Sequence, residues 1–299
     1  MLVPNSDAAQ ILGPGDFEEW TKLRTLLEDD QELTIPQENK LFTLTAEAVH
    51  KLEKQAGFKP GLPHPWPWGL YYTSFYAFNY GTTLYDKGLE KKALEVLQEG
   101  LEAAEFCLAA PVKDSSFHLS PCHFARASLT AKIASIKGLF ASIAKARAAQ
   151  EEWTQVADGD VDMVLTKQHT LKASANHALG LYYRLVPDLW LVQFLFRVRG
   201  SLDESLRRHR LATGAHAQNA CFLFGESTSL LCRGQKKNAT SDVQAGHMLA
   251  AKVLRMKVAA PLFIACQESV RQIFQKPELA CGFTGAKQVS DEDAKAIGR

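Results

Sequence analysis

With 299 residues, 46% of them apolar, the chain holds ample material for a continuous core, and its composition excludes disorder outside the ends. No stretch approaches eighteen uncharged apolar residues and the opening MLVPNSDAAQ has no basic region ahead of an apolar one, so neither a membrane span nor a secretory leader is expected and a cytoplasmic protein is. The net charge of +1 is unevenly spread: residues 1–110 carry 9 Lys+Arg against 17 Asp+Glu (−8), whereas residues 197–257 carry 11 against 4 (+7). Such an asymmetry either orients an acidic partner or an anionic membrane, or is neutralised by internal packing.

The first element runs over residues 16–29, with Asp16 as N-cap and Phe17, Trp20, Leu23 and Leu27 on one helical face. Thr34, Ile35 and Pro36 supply a cap and an early proline for a second helix ending near Gln55 at Gly57. Lys59 to Gly69 contains four prolines and reads as an extended loop pinned by Trp66 and Trp68. From Leu70 onward, helices are predicted over residues 70–86, 88–109, 120–150, 163–199 with an interruption at Pro187, 202–233 and 238–275. The helix after Pro121 places Leu129, Ile133, Ile136, Phe140 and Ile143 in a seam of fours and threes, the pattern of an antiparallel bundle.

No fixed internal period occurs, and the tetratricopeptide pattern does not recur. The expected architecture is all-α, an elongated irregular bundle or solenoid of long antiparallel helices with a tetratricopeptide-like core. It is read as a single helical domain over 1–299: N-terminal helices and Pro-rich loop (1–69), main body (70–276) and flexible tail (277–299).

The six cysteines are far apart and mostly within apolar helical patterns, which reads as buried reduced thiols. Asn238-Ala239-Thr240 matches a glycosylation sequon, a match without meaning in a chain that takes no secretory route.

Motifs that carry chemistry are scarce. Asp158-Gly159-Asp160-Val161-Asp162 starts like a calcium loop, but Met163 and His169 stand where glycine and a bidentate glutamate belong, so a helix-connecting loop is expected. His118 and His123 flank Cys122 without the second ligand pair that zinc requires. Phosphate loops, dinucleotide glycines and nucleophile elbows are absent from the sequence, and no catalytic, cofactor or metal residue is assigned. Arg210 and His216, separated by five residues on one predicted helix, loosely resemble the Arg-then-His motif of HEPN ribonucleases. Beside Arg207 and Arg208 a solvated basic face is the simpler reading. Aromatics gather at Tyr71, Tyr72, Phe75, Tyr76, Phe78 and Tyr80, and at Trp190, Phe194 and Phe196; they read as core, with a ligand or peptide groove as the alternative.

The order of segments is similar to the second half of the BRO-type domain found in Alix, rhophilin and Brox, over about residues 70–260. Phe75 to Leu84 (FYAFNYGTTL) followed by Ala93 to Ala109, the Leu119-Ser120-Pro121 helix start, and Ala220 to Leu231 (ACFLFGESTSLL) after basic Arg207 to Arg210 carry the resemblance. Ile133-Ala134-Ser135-Ile136-Lys137 replaces that family's Ala-Gln-Ala-Gln-Glu stretch, so no contact residue is carried over. The resemblance implies a non-catalytic scaffold in endosomal sorting that binds an amphipathic helix of the ESCRT-III kind. A peripheral anionic membrane contact through basic segment 197–257 would accompany it. A tetratricopeptide-like adaptor and a HEPN-like nuclease using Arg210 and His216 are the competing readings. Nucleic-acid binding is disfavoured, since stacking aromatics do not interleave the basic stretch.

Overall fold

A computed structural model of the chain describes residues 6–31, 33–59, 62–111, 117–186, 193–194, 197–258 and 261–283. The fold is all-α, with one small β-hairpin among the described residues. Backbone contacts divide the chain into two compact units, Met1–Lys137 and Gly138–Arg299.

The first unit comprises α1 (Ser6–Ile11), α2 (Pro14–Glu28), α3 (Ile35–Gln55), α4 (Pro67–Asp86), α5 (Glu90–Ala109) and α6 (Ser120–Lys137). Helix α2 starts earlier than the Asp16 cap suggested, because Pro14 occupies its first turn; Asp16 instead lies inside that turn, where the helix dipole favours a carboxylate. Helix α3 begins as expected: Gln37 Oε1 accepts from the Thr34 N–H at 2.8 Å and from the Thr34 hydroxyl at 2.9 Å. Gly57, with φ of +60°, follows its end.

Most of the aromatics gathered on α4 are core, Phe75 and Phe78 being half-buried. Tyr71, Tyr72, Tyr76 and Tyr80 are all buried, as are Trp20 and Trp66. Trp20 satisfies its indole N–H on Thr45 Oγ1 at 2.9 Å. Arg24 is 5% exposed, with its guanidinium 4.8 Å from the Tyr72 ring centre and its Nε 2.6 Å from Glu28 Oε1. A buried cation is tolerable there because ring faces and a carboxylate replace its water.

The 120–150 segment is not one helix. Gly138 adopts φ of +105°, a conformation that side-chain-bearing residues avoid, and it separates α6 from α7. Leu129 and Ile133 of the predicted seam are buried on α6; the side chains of Phe140 and Ile143 lie outside the described residues.

The second unit comprises α7 (Leu139–Asp158), β1 (Val164–Thr166), β2 (His169–Thr170), α8 (Leu171–Leu185), α9 (Leu202–Ala215), α10 (Ala220–Lys237), α11 (Thr240–Leu254), α12 (Pro261–Gln275) and a 3-10 turn over Pro277–Cys281. Three predicted helices are thus shorter or divided. The 163–199 segment opens with an antiparallel hairpin, after which the Thr170 hydroxyl caps α8 by accepting from the Ala173 N–H at 3.4 Å. Pro187, Trp190 and Phe196 lie outside the described residues. The 202–233 segment breaks at His216, and Asn219 caps α10 by accepting from the Cys221 and Phe222 N–H groups, each at 3.0 Å. In 238–275, α11 ends at Leu254 and α12 starts at Pro261.

The apolar face of α10 organises this unit. Phe224 and Leu231 pack with Val253, Val270, Ile273, Ala280 and Phe283 in one buried cluster. The segment read as a flexible tail therefore enters the core as far as Phe283, and Arg184, 2% exposed, donates to the carbonyls of Ala280 and Phe283. Residues 284–299 lie outside the described residues.

The expectation of reduced thiols is overturned: all six cysteines are paired, Cys107–Cys122 in the first unit, and Cys221–Cys266 and Cys232–Cys281 in the second. Helix hairpins and the returning C-terminal segment bring together cysteines that the sequence separates by 15, 45 and 49 positions.

Candidate functional site

Four histidines of the second unit gather near one ring. Phe222, on the first turn of α10, has its ring centre 5.4 Å from that of His169 (β2), 5.2 Å from His177 (α8) and 6.2 Å from His216 at the end of α9. His209 of α9 stands 5.0 Å from His177. The sequence did not single out His169, His177 and His209 as a group, because they come from three elements 8 and 32 positions apart.

Their environments differ. His169 is tied down: its Nδ1 is 3.0 Å from Thr166 Oγ1 and its Nε2 is 3.1 Å from Asn219 Nδ2, while its ring stacks on Phe263. His209 is wholly buried with neither ring nitrogen hydrogen-bonded, and His177 Nδ1 is buried without a partner although the residue keeps some exposed surface. Two glycines make the space for His209. A Cβ on Gly180 would stand 2.5 Å from its Nε2, and one on Gly225 only 2.3 Å from its Cε1.

Burial sets the chemistry of this pair. It pushes His177 down to about 3, helped by the charges of His169 and Arg184, and holds His209 well below the ordinary histidine range, helped by His177 and Arg184. Both rings are neutral at pH 7. A general acid or base works best with a pKa near the operating pH, so His177 and His209 suit interior packing better than proton transfer.

Next to this cluster, Arg208 joins three helices. It is 5% exposed and grips Asp158 through Nη1–Oδ1 at 2.6 Å and Nη2–Oδ2 at 3.0 Å, with Glu204 at 2.9 Å and Asn176 Oδ1 at 3.1 Å. The guanidinium hydrogen bond is the main reason that the Asp158 carboxyl is held below its usual range. Asp162 accepts from the backbone N–H groups of Met163 and Lys172, at 3.0 and 2.9 Å. The loop after α7 thus leads from that helix into the β1–β2 hairpin instead of joining two helices directly, with two carboxylates of the Asp158–Asp162 motif turned to the protein's own donors.

Arg210 and His216 make separate contacts. Arg210 Nε lies 3.4 Å from Glu226 Oε1, an oxygen pair also anchored by the Thr213 hydroxyl on Oε2 at 2.7 Å, whereas His216 turns to Phe222. Cys122 is spent in its disulfide, His118 is exposed, and no group of three His, Cys, Asp or Glu among the described residues is arranged to hold a metal ion.

The basic stretch also has internal partners. Its four carboxylates are all taken: Glu204 by Arg207 and Arg208, Glu226 by Arg210, Asp203 by Arg233 and Lys237, and Asp242 by Arg233. Exposed Lys236, Arg255 and Lys257 form no ion pair among the described residues. On α11 and α12, Met248 is 72% and Phe274 41% exposed, and His247 meets the Phe274 ring edge-on at 5.6 Å. The same two helices bury Ala250, Val253, Val270 and Ile273.

No protein-family model matches the chain, and no curated protein is significantly similar to it. No described helix is long and apolar enough to cross a membrane.

Proposed function

We propose that the protein is an interaction scaffold whose second unit captures an acidic amphipathic helix or peptide on the outer side of α11 and α12. One observation carries this reading: Met248 stands exposed on α11, within the segment 197–257 and its surplus of positive charge, and Phe274 stands exposed on α12 against the neighbouring His247. Each carboxylate of residues 197–257 is already occupied by a cation of the same stretch, so an incoming acidic group meets Lys236, Arg255 and Lys257 without local competition. The neutral, enclosed state of His177 and His209 favours a binding over a proton-transferring role for this unit. The BRO-type resemblance fits a scaffold too. Its cytosolic sorting partner is not part of the proposal, because three disulfides are rare in a reducing cytosol.

The test is fluorescence anisotropy with two synthetic helices sharing one leucine face, one with a glutamate-rich and one with a lysine-rich polar face. The glutamate peptide binds more tightly, and less so as salt rises. Met248→Glu with Phe274→Glu weakens it by at least about tenfold, roughly 1.4 kcal/mol. Equal affinity for the two peptides, or indifference to the double substitution, refutes the reading.

A further inference from the structure

We infer that the chain matures in an oxidising secretory compartment and carries an N-linked oligosaccharide on Asn238. Three observations converge on this residue. First, every cysteine is engaged in a disulfide within its own unit, the state that oxidising compartments sustain and a glutathione-buffered cytosol opposes. Second, Asn238-Ala239-Thr240 is the single Asn-x-Ser/Thr tripeptide in the chain, and its middle residue is not proline. Third, the fold presents it: Asn238 sits in the tight turn between α10 and α11 with φ of +53°, and both Asn238 and Thr240 are exposed.

The neighbourhood has room for a bulky polar group. Residues 235–238 are exposed in an unbroken run, and the Asn238 carboxamide makes no hydrogen bond to other described residues. The turn is held without the Asn238 side chain: Asn238 donates its N–H to Gly234 O, Ala239 donates its own to the same oxygen at 2.9 Å, and Arg233 grips Asp242 across the turn. Modifying Nδ2 therefore breaks no contact of the fold. Cys232 of the Cys232–Cys281 disulfide lies on α10 six residues before the site.

The transfer needs a lipid-linked oligosaccharyl diphosphate as donor. Asn238 Nδ2 bonds to the anomeric carbon of the first sugar, the bond from that carbon to the diphosphate oxygen breaks, and the lipid diphosphate leaves. One amide proton is released, and nothing is oxidised or reduced.

The experiment uses protein isolated from its own cells, opened in denaturant with a thiol-alkylating reagent but no reductant. Half is then treated with peptide N-glycosidase before digestion and mass spectrometry. The expected result is six unalkylated cysteines, and a peptide spanning Asn238 that is recovered only after the glycosidase, with aspartate at position 238. Thr240→Ala expressed in the same cells loses the glycan and keeps all three disulfides, while Thr240→Ser keeps both. Bare asparagine at position 238 in the native protein overturns the inference, as do cysteines that take up the alkylating reagent.

Discussion

Replacing Gly225 by alanine tests how tightly the histidine interior is closed. In a helix the change alone favours folding by about 1 kcal/mol. Here the new methyl carbon would lie 2.3 Å from His209 Cε1, 2.5 Å from its Nδ1 and 2.9 Å from His177 Cε1, whereas non-bonded carbons settle about 3.5–4.0 Å apart. His209 has no retreat, since its opposite edge already abuts Gly180. Overpacking at the upper end of its usual range costs about 3 kcal/mol, which leaves Gly225→Ala a net loss of about 2 kcal/mol. His209→Ala removes the two nearest obstacles and leaves His177, at 2.9 Å, the vacated space to shift into. In that background the Gly225→Ala change reverts to a gain of about 1 kcal/mol, a coupling of about 3 kcal/mol between the two positions. Because two units need not melt together, urea-dependent hydrogen exchange of peptides from α8, α9 and α10 is the suitable assay. An effect of the same size and sign in both backgrounds would refute the packing argument.

Other perturbations give equally definite expectations. Unfolded histidine titrates near 6.5, while burial keeps folded His177 near 3 and His209 well below normal, so the unfolded chain binds more protons throughout that window. The second unit is therefore fully stable above pH 6.5 and weakens as pH falls toward 3, by about 1.4 kcal/mol per pH unit for His177, with His209 acting in the same direction. His177→Phe should lower this slope in acid-melt experiments; an unchanged slope contradicts the assignment. In the first unit, burial raises Glu38 to about 7, so stability is full below pH 4.5 and declines as pH rises through 7. Thermal melts of Glu38→Gln should lose that decline, and a persistent decline would remove Glu38 as its source. Opening the 45- and 49-residue bridges by Cys266→Ser or Cys281→Ser should cost up to about 4 kcal/mol each by loop entropy, read as exchange in α12. Asp158→Asn should cost about 1–2 kcal/mol, limited by solvent at that carboxylate, and a neutral result would show that Glu204 alone holds Arg208.

The parts of this fold that depend on local chemistry could be read from the sequence. Thr34 with Pro36 marked the start of α3, and the gathered aromatics of α4 announced a buried face. Boundaries set by a single backbone angle could not: Gly138 lies between two good helical stretches, and only its positive φ divides them. His216 ended a helix for a comparable reason, being followed by a turn that hands the chain to the Asn219 cap. The histidine cluster escaped because it has no sequence period; its faint trace is the pair of helical glycines, Gly180 and Gly225, that make way for an imidazole. Cysteine pairing escaped as well, since six cysteines allow fifteen connectivities and helical spacing made each resemble a core residue.

The binding claim rests most directly on one methyl group. The chain has four methionines, Met1, Met163, Met248 and Met256, so selective labelling with carbon-13 gives a simple methyl spectrum. Titration with the glutamate-rich amphipathic peptide should move the Met248 signal in a saturable way and leave that of Met163, on the hairpin side of the unit, in place. A Met248 signal that stays fixed while the peptide binds elsewhere, or does not bind, would contradict a docking face on α11 and α12.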